Sequence, residues 1–138
     1  MRIVTKRFKN WDKNTQRRLM YATFRNGYMA RYVRVAPESW TFVAFGKKQV
    51  LGWALGFTHK GKIYLNVFVN ERFRDRGVAT KLIERSIKKE HNIILSAYSD
   101  KTWYLFKKIK KRYPESVKVV NWGRWRKKMK KIVIERLG

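Results

Sequence analysis

The run Tyr64-Leu-Asn-Val-Phe-Val-Asn-Glu-Arg-Phe-Arg-Asp-Arg-Gly-Val-Ala-Thr-Lys-Leu-Ile83 constrains the fold more than any other stretch of the chain. Residues 64–69 are aromatic, aliphatic and β-branched, which is the composition of a strand. Beyond Gly77 the period changes: Leu82, Ile83, Ser86 and Ile87 recur at the spacing of one helix face. The segment therefore predicts a strand, a basic turn and a helix, with Arg72, Arg74 and Arg76 gathered around the helix start. Unpaired amides at a helix N-terminus carry partial positive charge, and a glycine lets an anion approach the main chain. A turn of this composition is suited to phosphate. The run contains neither a G-x-G-x-x-G series nor Gly-Lys-Ser/Thr, so it is not a dinucleotide or Walker-type loop. A purely structural turn is the alternative, although three arginines at one helix start repel one another unless an anion lies among them.

A chain of 138 residues fits one domain, 1–138, and at 44% hydrophobic it has enough apolar surface to bury a core. No run is long enough to span a membrane, no amphipathic anchor is evident, and Met1-Arg-Ile-Val-Thr-Lys-Arg lacks the apolar centre of a signal peptide. A soluble, cytoplasmic protein is expected. The absence of cysteine excludes disulfides, thiolate metal sites and a cysteine nucleophile, and with only His59 and His91 as imidazoles no metal site is expected. The formal net charge of +26, from 35 Lys and Arg against 9 Asp and Glu, predicts a polyanionic partner: RNA or other nucleic acid, a ribonucleoprotein, or a very acidic protein. The alternative is a solvated basic surface with no specific partner.

Patterning orders the rest of the chain. Arg2 to Phe8 reads as a strand, and Trp11 to Phe24 as a helix with Asn10 as its cap. Tyr28 to Val35 is ambiguous between helix and extended chain. Ser39 to Phe45, Gln49 to Phe57 and Lys62 to Val69 form an antiparallel meander, turning at Gly46-Lys-Lys and His59-Lys-Gly-Lys. A helix over Gly77 to His91, a short apolar strand Ile93 to Ala97 and a basic helix Asp100 to Tyr113 follow, the last closed by Pro114. Val117 to Trp122 and Ile132 to Glu135 read as a final hairpin joined by the basic, aromatic loop from Gly123. The fold class is α/β (α+β): a mixed, mainly antiparallel sheet with helices on both faces, in which the strand, helix, strand unit from Leu65 to Ala97 runs parallel.

This order, together with Val69-Asn-Glu-Arg-Phe-Arg-Asp-Arg-Gly-Val-Ala, resembles the GNAT superfamily of acetyl-CoA-dependent N-acetyltransferases, over most of the chain from the first strand to the last. The family signature is Val-x-Pro followed by x-x-Arg/Gln-x-x-Gly-x-Gly/Ala. Arg74, Gly77 and Ala79 take its three defining positions, and Glu71 stands where proline is common. The resemblance implies acetyl-CoA as co-substrate. Its pantetheine arm would pair with the backbone of Val67, Phe68 and Val69, and its pyrophosphate would be wrapped by Arg74, Asp75, Arg76, Gly77, Val78 and Ala79, with Thr80 beginning the helix. It also implies a cleft where the following strand splays away.

The proton-moving residues depart from the family pattern. The consensus Asn-x-x-Ala-x-x-Leu-Tyr after that strand becomes Ser99, Thr102, Leu105 and Phe106, and phenylalanine cannot protonate a leaving thiolate. Tyr98, Ser99 and Tyr104 are the substitute candidates, with Tyr104 expected to point elsewhere on its helix; core packing of these aromatics is the alternative. Where family members carry a glutamate on the strand before the loop, this chain offers Asn66. An α-amine, with a pKa of about 7.7, tolerates a missing base far better than a lysine at about 10.4. The resemblance thus implies an N-acetyltransferase acting by direct transfer in a ternary complex. Its acceptor amine would lie on a polyanion-associated macromolecule, either aminoacyl-tRNA or a lysine of a nucleic-acid-binding protein. A catalytically silent GNAT-fold module is the alternative, gripping nucleic acid through Trp122, Arg124, Trp125, Arg126, Lys127 and Lys128, with tryptophans on bases and cations on phosphates. The tryptophans tucked against the core would be the bland outcome for that loop.

Overall fold

The computed structural model describes residues 1–24, 37–97 and 99–137. In chain order they form β1 (Arg2–Arg7), a 3-10 turn (Phe8–Asn10), α1 (Lys13–Phe24), β2 (Trp40–Phe45), β3 (Val50–His59) and β4 (Lys62–Val69). A second 3-10 turn (Glu71–Phe73), α2 (Val78–Lys89), β5 (Ile93–Ala97), α3 (Asp100–Arg112), β6 (Val117–Asn121) and α4 (Trp122–Leu137) follow. The ambiguous stretch Tyr28 to Val35 lies outside the described residues.

The strands build one six-stranded sheet in sequence order, β1 to β6. β2, β3 and β4 run antiparallel as the meander, β1 adds antiparallel to β2 at its edge, and β5 and β6 join parallel to β4 and to each other. The turn between β3 and β4 uses Lys60 at φ 49° and Gly61 at φ 73°, two successive left-handed residues that match the twist of a tight hairpin. At the start of α1 the cap is Asp12 rather than Asn10: its carboxylate accepts from the Thr15 amide and hydroxyl, which holds its own pKa below the usual value.

Alternation along the strands divides the core in two. Val43, Trp53, Leu55, Phe57, Tyr64 and Ile94 face α1 and α4, meeting Leu19, Trp125, Met129 and Ile132. Phe42, Ala54, Ile63, Leu65, Ile93 and Leu95 face the other way, onto Leu82, Ile83, Phe106 and Ile109 of α2 and α3. Helices therefore cover both faces of the sheet, as the pattern predicts.

The C-terminal segment corrects the sequence reading. Trp122 to Leu137 is one helix, not a loop leading to a strand, and Ile132 to Glu135 belongs to it. Trp125, Met129 and Ile132 recur at i, i+4 and i+7, so one stripe of the helix is buried while the lysines and arginines between them face solvent. Burial of this stripe outweighs the β-branched character of Ile132-Val-Ile. Among the described residues no helix is long and apolar enough to cross a membrane, and no three His, Asp or Glu side chains gather as a metal site.

Candidate active site

The sheet opens between β4 and β5. Their parallel pairing covers Ile63 with Ile93, Tyr64 with Ile94 and Leu65 with Leu95, and stops there, although β4 continues to Val69 and β5 to Ala97. Beyond that point a cleft of about 490 Å³ separates the end of β4 from α3. One bank is Val67, Phe68 and Val69; the loop from Phe73 to Thr80 closes one end; Ser99, Thr102, Tyr104 and Lys108 stand on the other bank.

Local sequence explains the loop. Gly77 caps α2 in the left-handed region, φ 77° and ψ 9°, with no side chain accepting from the first turn and no acid within it. The leading amides of α2 therefore keep the partial positive charge of an unpartnered helix start. Asp75 is also left-handed, at φ 64°, and its carboxylate meets the Lys101 ammonium at 3.0 Å, tying the loop to the start of α3. Arg74 turns back, its Nε donating to the Val69 carbonyl at 3.2 Å, while the Arg76 guanidinium lies 5.8 Å from the Phe73 ring centre. Among the described lining residues Asp75 is the single carboxylate, against Arg74, Lys101 and Lys108. The balance favours an anion.

A sequence model described as the acetyltransferase (GNAT) family matches residues 5–100. The chain belongs to the GNAT acetyltransferase family. No curated protein and no solved structure matches it. The family uses acetyl-CoA as co-substrate, and the structure fits one: a strand edge with no ladder partner among the described residues, a glycine turn whose helix start no side chain caps, and a cationic mouth lie along one cleft. The match ends at the first residue of α3. It takes in β4, the glycine loop and α2 but leaves α3, β6 and α4 outside the recognised region, which is shorter than the first-strand-to-last resemblance read from the sequence.

The expected cofactor residues Val67, Phe68, Val69, Arg74, Asp75, Gly77, Val78, Ala79 and Thr80 all line the cleft. Arg76 is exposed in the same loop. The catalytic candidates divide. Tyr98 lies outside the described residues. Ser99 is at the cleft but serves as the cap of α3, in a reciprocal capping box with Thr102. Asn66 pairs opposite Leu55 in the ladder, half-buried and two residues from both Tyr64 and Phe68, so it shares their face of the sheet, towards α1 and α4.

Tyr104 departs from expectation. It stands on the cleft face of α3 with Lys101, Leu105 and Lys108, 66% exposed, with the Lys108 ammonium 4.4 Å from its ring centre. Phe106 is 5% exposed and is part of the core beneath the cleft. The i, i+3, i+4, i+7 spacing from Lys101 to Lys108 was the signal available in sequence. Because α3 packs on the core along one stripe and borders a cleft along the next, periodicity alone did not separate the two.

In α4, Arg124, Arg126, Lys127 and Lys128 are exposed, but Trp125 is 1% exposed and Trp122 stacks on it at 5.3 Å between ring centres. Trp125 is not available to a base, so the tryptophan grip of the binding-module reading loses its central element.

Proposed function

We propose that the protein transfers the acetyl group of acetyl-CoA directly to an α-amine carried by RNA, aminoacyl-tRNA being the acceptor that joins both chemistries. The observation that carries the reading is Tyr104, a phenol on the open bank of the cleft where the family consensus position holds a buried Phe106. The neutral amine attacks the thioester carbonyl carbon, the C–S bond breaks, and the departing thiolate takes the Tyr104 proton. The phenolate recovers a proton from solvent, and the new amide sheds its extra proton to water. No cysteine exists to form an acyl-enzyme, and the Ser99 hydroxyl is occupied with capping, which supports transfer in a ternary complex over a covalent relay.

Two further features favour an α-amine. The only carboxylate among the described lining residues, Asp75, is ion-paired with Lys101 at the mouth, so those residues offer a protonated lysine no free carboxylate as base. The net charge of +26 and the exposed Arg124, Arg126, Lys127 and Lys128 of α4 supply a phosphate-binding surface that a free amino acid would not need. A cytoplasmic location follows from this acceptor.

The test is release of free thiol from acetyl-CoA in the presence of aminoacyl-tRNA, uncharged tRNA or a lysine-rich protein. Acetylation of the aminoacyl-tRNA alone is expected. Modification of bulk lysine without any of the charged tRNA would sink the acceptor assignment. Replacing Tyr104 by Phe should lower kcat by about 100-fold or more while leaving acetyl-CoA affinity unchanged, as loss of a general acid requires.

A further inference from the structure

A second cavity, of about 600 Å³, lies on the α1 side of the sheet among α1, the β2–β3 hairpin and the segment Asn70 to Phe73. Three of its walls are aromatic: Phe45, Trp53 and Phe73. Arg18, Lys48 and Arg72 are exposed around it, and its described lining residues include no carboxylate. Trp53 is 6% exposed and stacked on Phe68 at 4.5 Å, which fixes the ring that forms this wall. Phe73 lines both this cavity and the cofactor cleft, so the two adjoin at the segment that follows β4.

We infer that this cavity is a nucleotide site: the base lies against the aromatic walls and the phosphate among Arg18, Lys48 and Arg72. The size suits it, since pockets of roughly 300–1,000 Å³ hold ligands of this class. The chemistry is also selective. Aromatic walls favour a planar base over an aliphatic chain, and three cations with no carboxylate among the described lining residues favour a phosphate over a neutral group. An acidic peptide would satisfy the cations but not the aromatic walls. The assignment deepens the reading of an RNA-borne acceptor, and only the nucleotide's role as the end of that RNA rests on it.

Adenosine 5′-monophosphate is titrated by calorimetry into the full chain carrying one equivalent of acetyl-CoA, with adenosine and inorganic phosphate titrated separately. Binding of the monophosphate with the cleft filled, at least tenfold tighter than either fragment, is expected. The exposed-residue variant Arg18→Glu/Lys48→Glu should lose this binding by tenfold or more while keeping its acetyl-CoA affinity and melting temperature. Trp53→Leu should do the same if it folds, and the surface variant carries the test if it does not. Binding abolished by acetyl-CoA, undiminished in the double variant, or matched by phosphate alone would overturn the site. A nucleotide bound here while no RNA-borne amine is acetylated would uphold the site and refute the acceptor reading; acetylated aminoacyl-tRNA with no nucleotide bound here would do the reverse.

Discussion

Gly77 holds its left-handed backbone in open space, with no heavy atom beyond its chain neighbours within 4 Å of where a Cβ would stand. A side chain there meets strain rather than a clash, at a cost of about 1–2 kcal/mol, and it also crowds the turn's free amides. Gly77→Val should therefore melt slightly lower than the parent and bind acetyl-CoA at least tenfold more weakly by calorimetry; unchanged affinity would place the pyrophosphate elsewhere. This residue was legible in the sequence because a glycine between a strand pattern and a helix pattern has few other uses. Tyr104 was not, because its neighbours Trp103, Leu105 and Phe106 leave the direction of a single helix turn undetermined. His59, at the end of β3, carries a prediction of another kind. Burial first, and then the charges of Arg136 and Lys60, hold its pKa below the usual 6.5. The folded state thus binds this proton less readily than the unfolded chain, so the His59 contribution is present above that value and is lost as pH falls through the depressed pKa. Melting temperatures across this range should fall less steeply with acid in His59→Gln than in the parent.

At the scale of elements, the meander and the strand, helix, strand unit followed the sequence closely, with β4 and β5 matching at both ends. Their signals are local: alternation, a Lys60-Gly61 turn, and an amphipathic helix between apolar strands. The C-terminal helix failed the same reading because its buried stripe is thin. Trp125, Met129 and Ile132 are interrupted by runs of cations, and the terminal Ile-Val-Ile imitates a strand until a sheet face is available to bury the stripe. Replacing Trp125 by Ala should cost about 3–5 kcal/mol, read by chemical denaturation, with a loss of helical signal. If the segment were an exposed hairpin loop, the same change would be nearly neutral. Lys127→Glu, on the exposed side of the same helix, is the control that should leave stability unchanged.

Over the whole molecule, charge was the most legible property and the least specific. The 35 basic residues announce a polyanion without naming one, because a long-range field depends on the sum of charges and not on their arrangement. Salt dependence converts that sum into a count. If the four exposed cations Arg124, Arg126, Lys127 and Lys128 each meet a phosphate of single-stranded RNA, the slope of log affinity against log salt should be about −3, and reversing Lys127 and Lys128 to Glu should make it about 1.4 shallower. Fluorescence anisotropy between about 50 and 200 mM salt measures both. An unaltered slope would move the RNA path to another face.

The parting of β4 from β5 after Leu65 and Leu95 has a cost that is independent of catalysis. From Asn66 to Val69 one side of a sheet's interior strand has no ladder partner among the described residues; Arg74 covers the Val69 carbonyl, and the other backbone groups on that side are left to any extended chain that can reach them. Interior strands are usually protected from such pairing by their neighbours, and on that side this one faces the cleft instead. Any ligand that lays a chain of amides along the gap therefore also acts as a guard against self-association. The protein should be least soluble, and most prone to seeding β-rich aggregates, when that groove is bare.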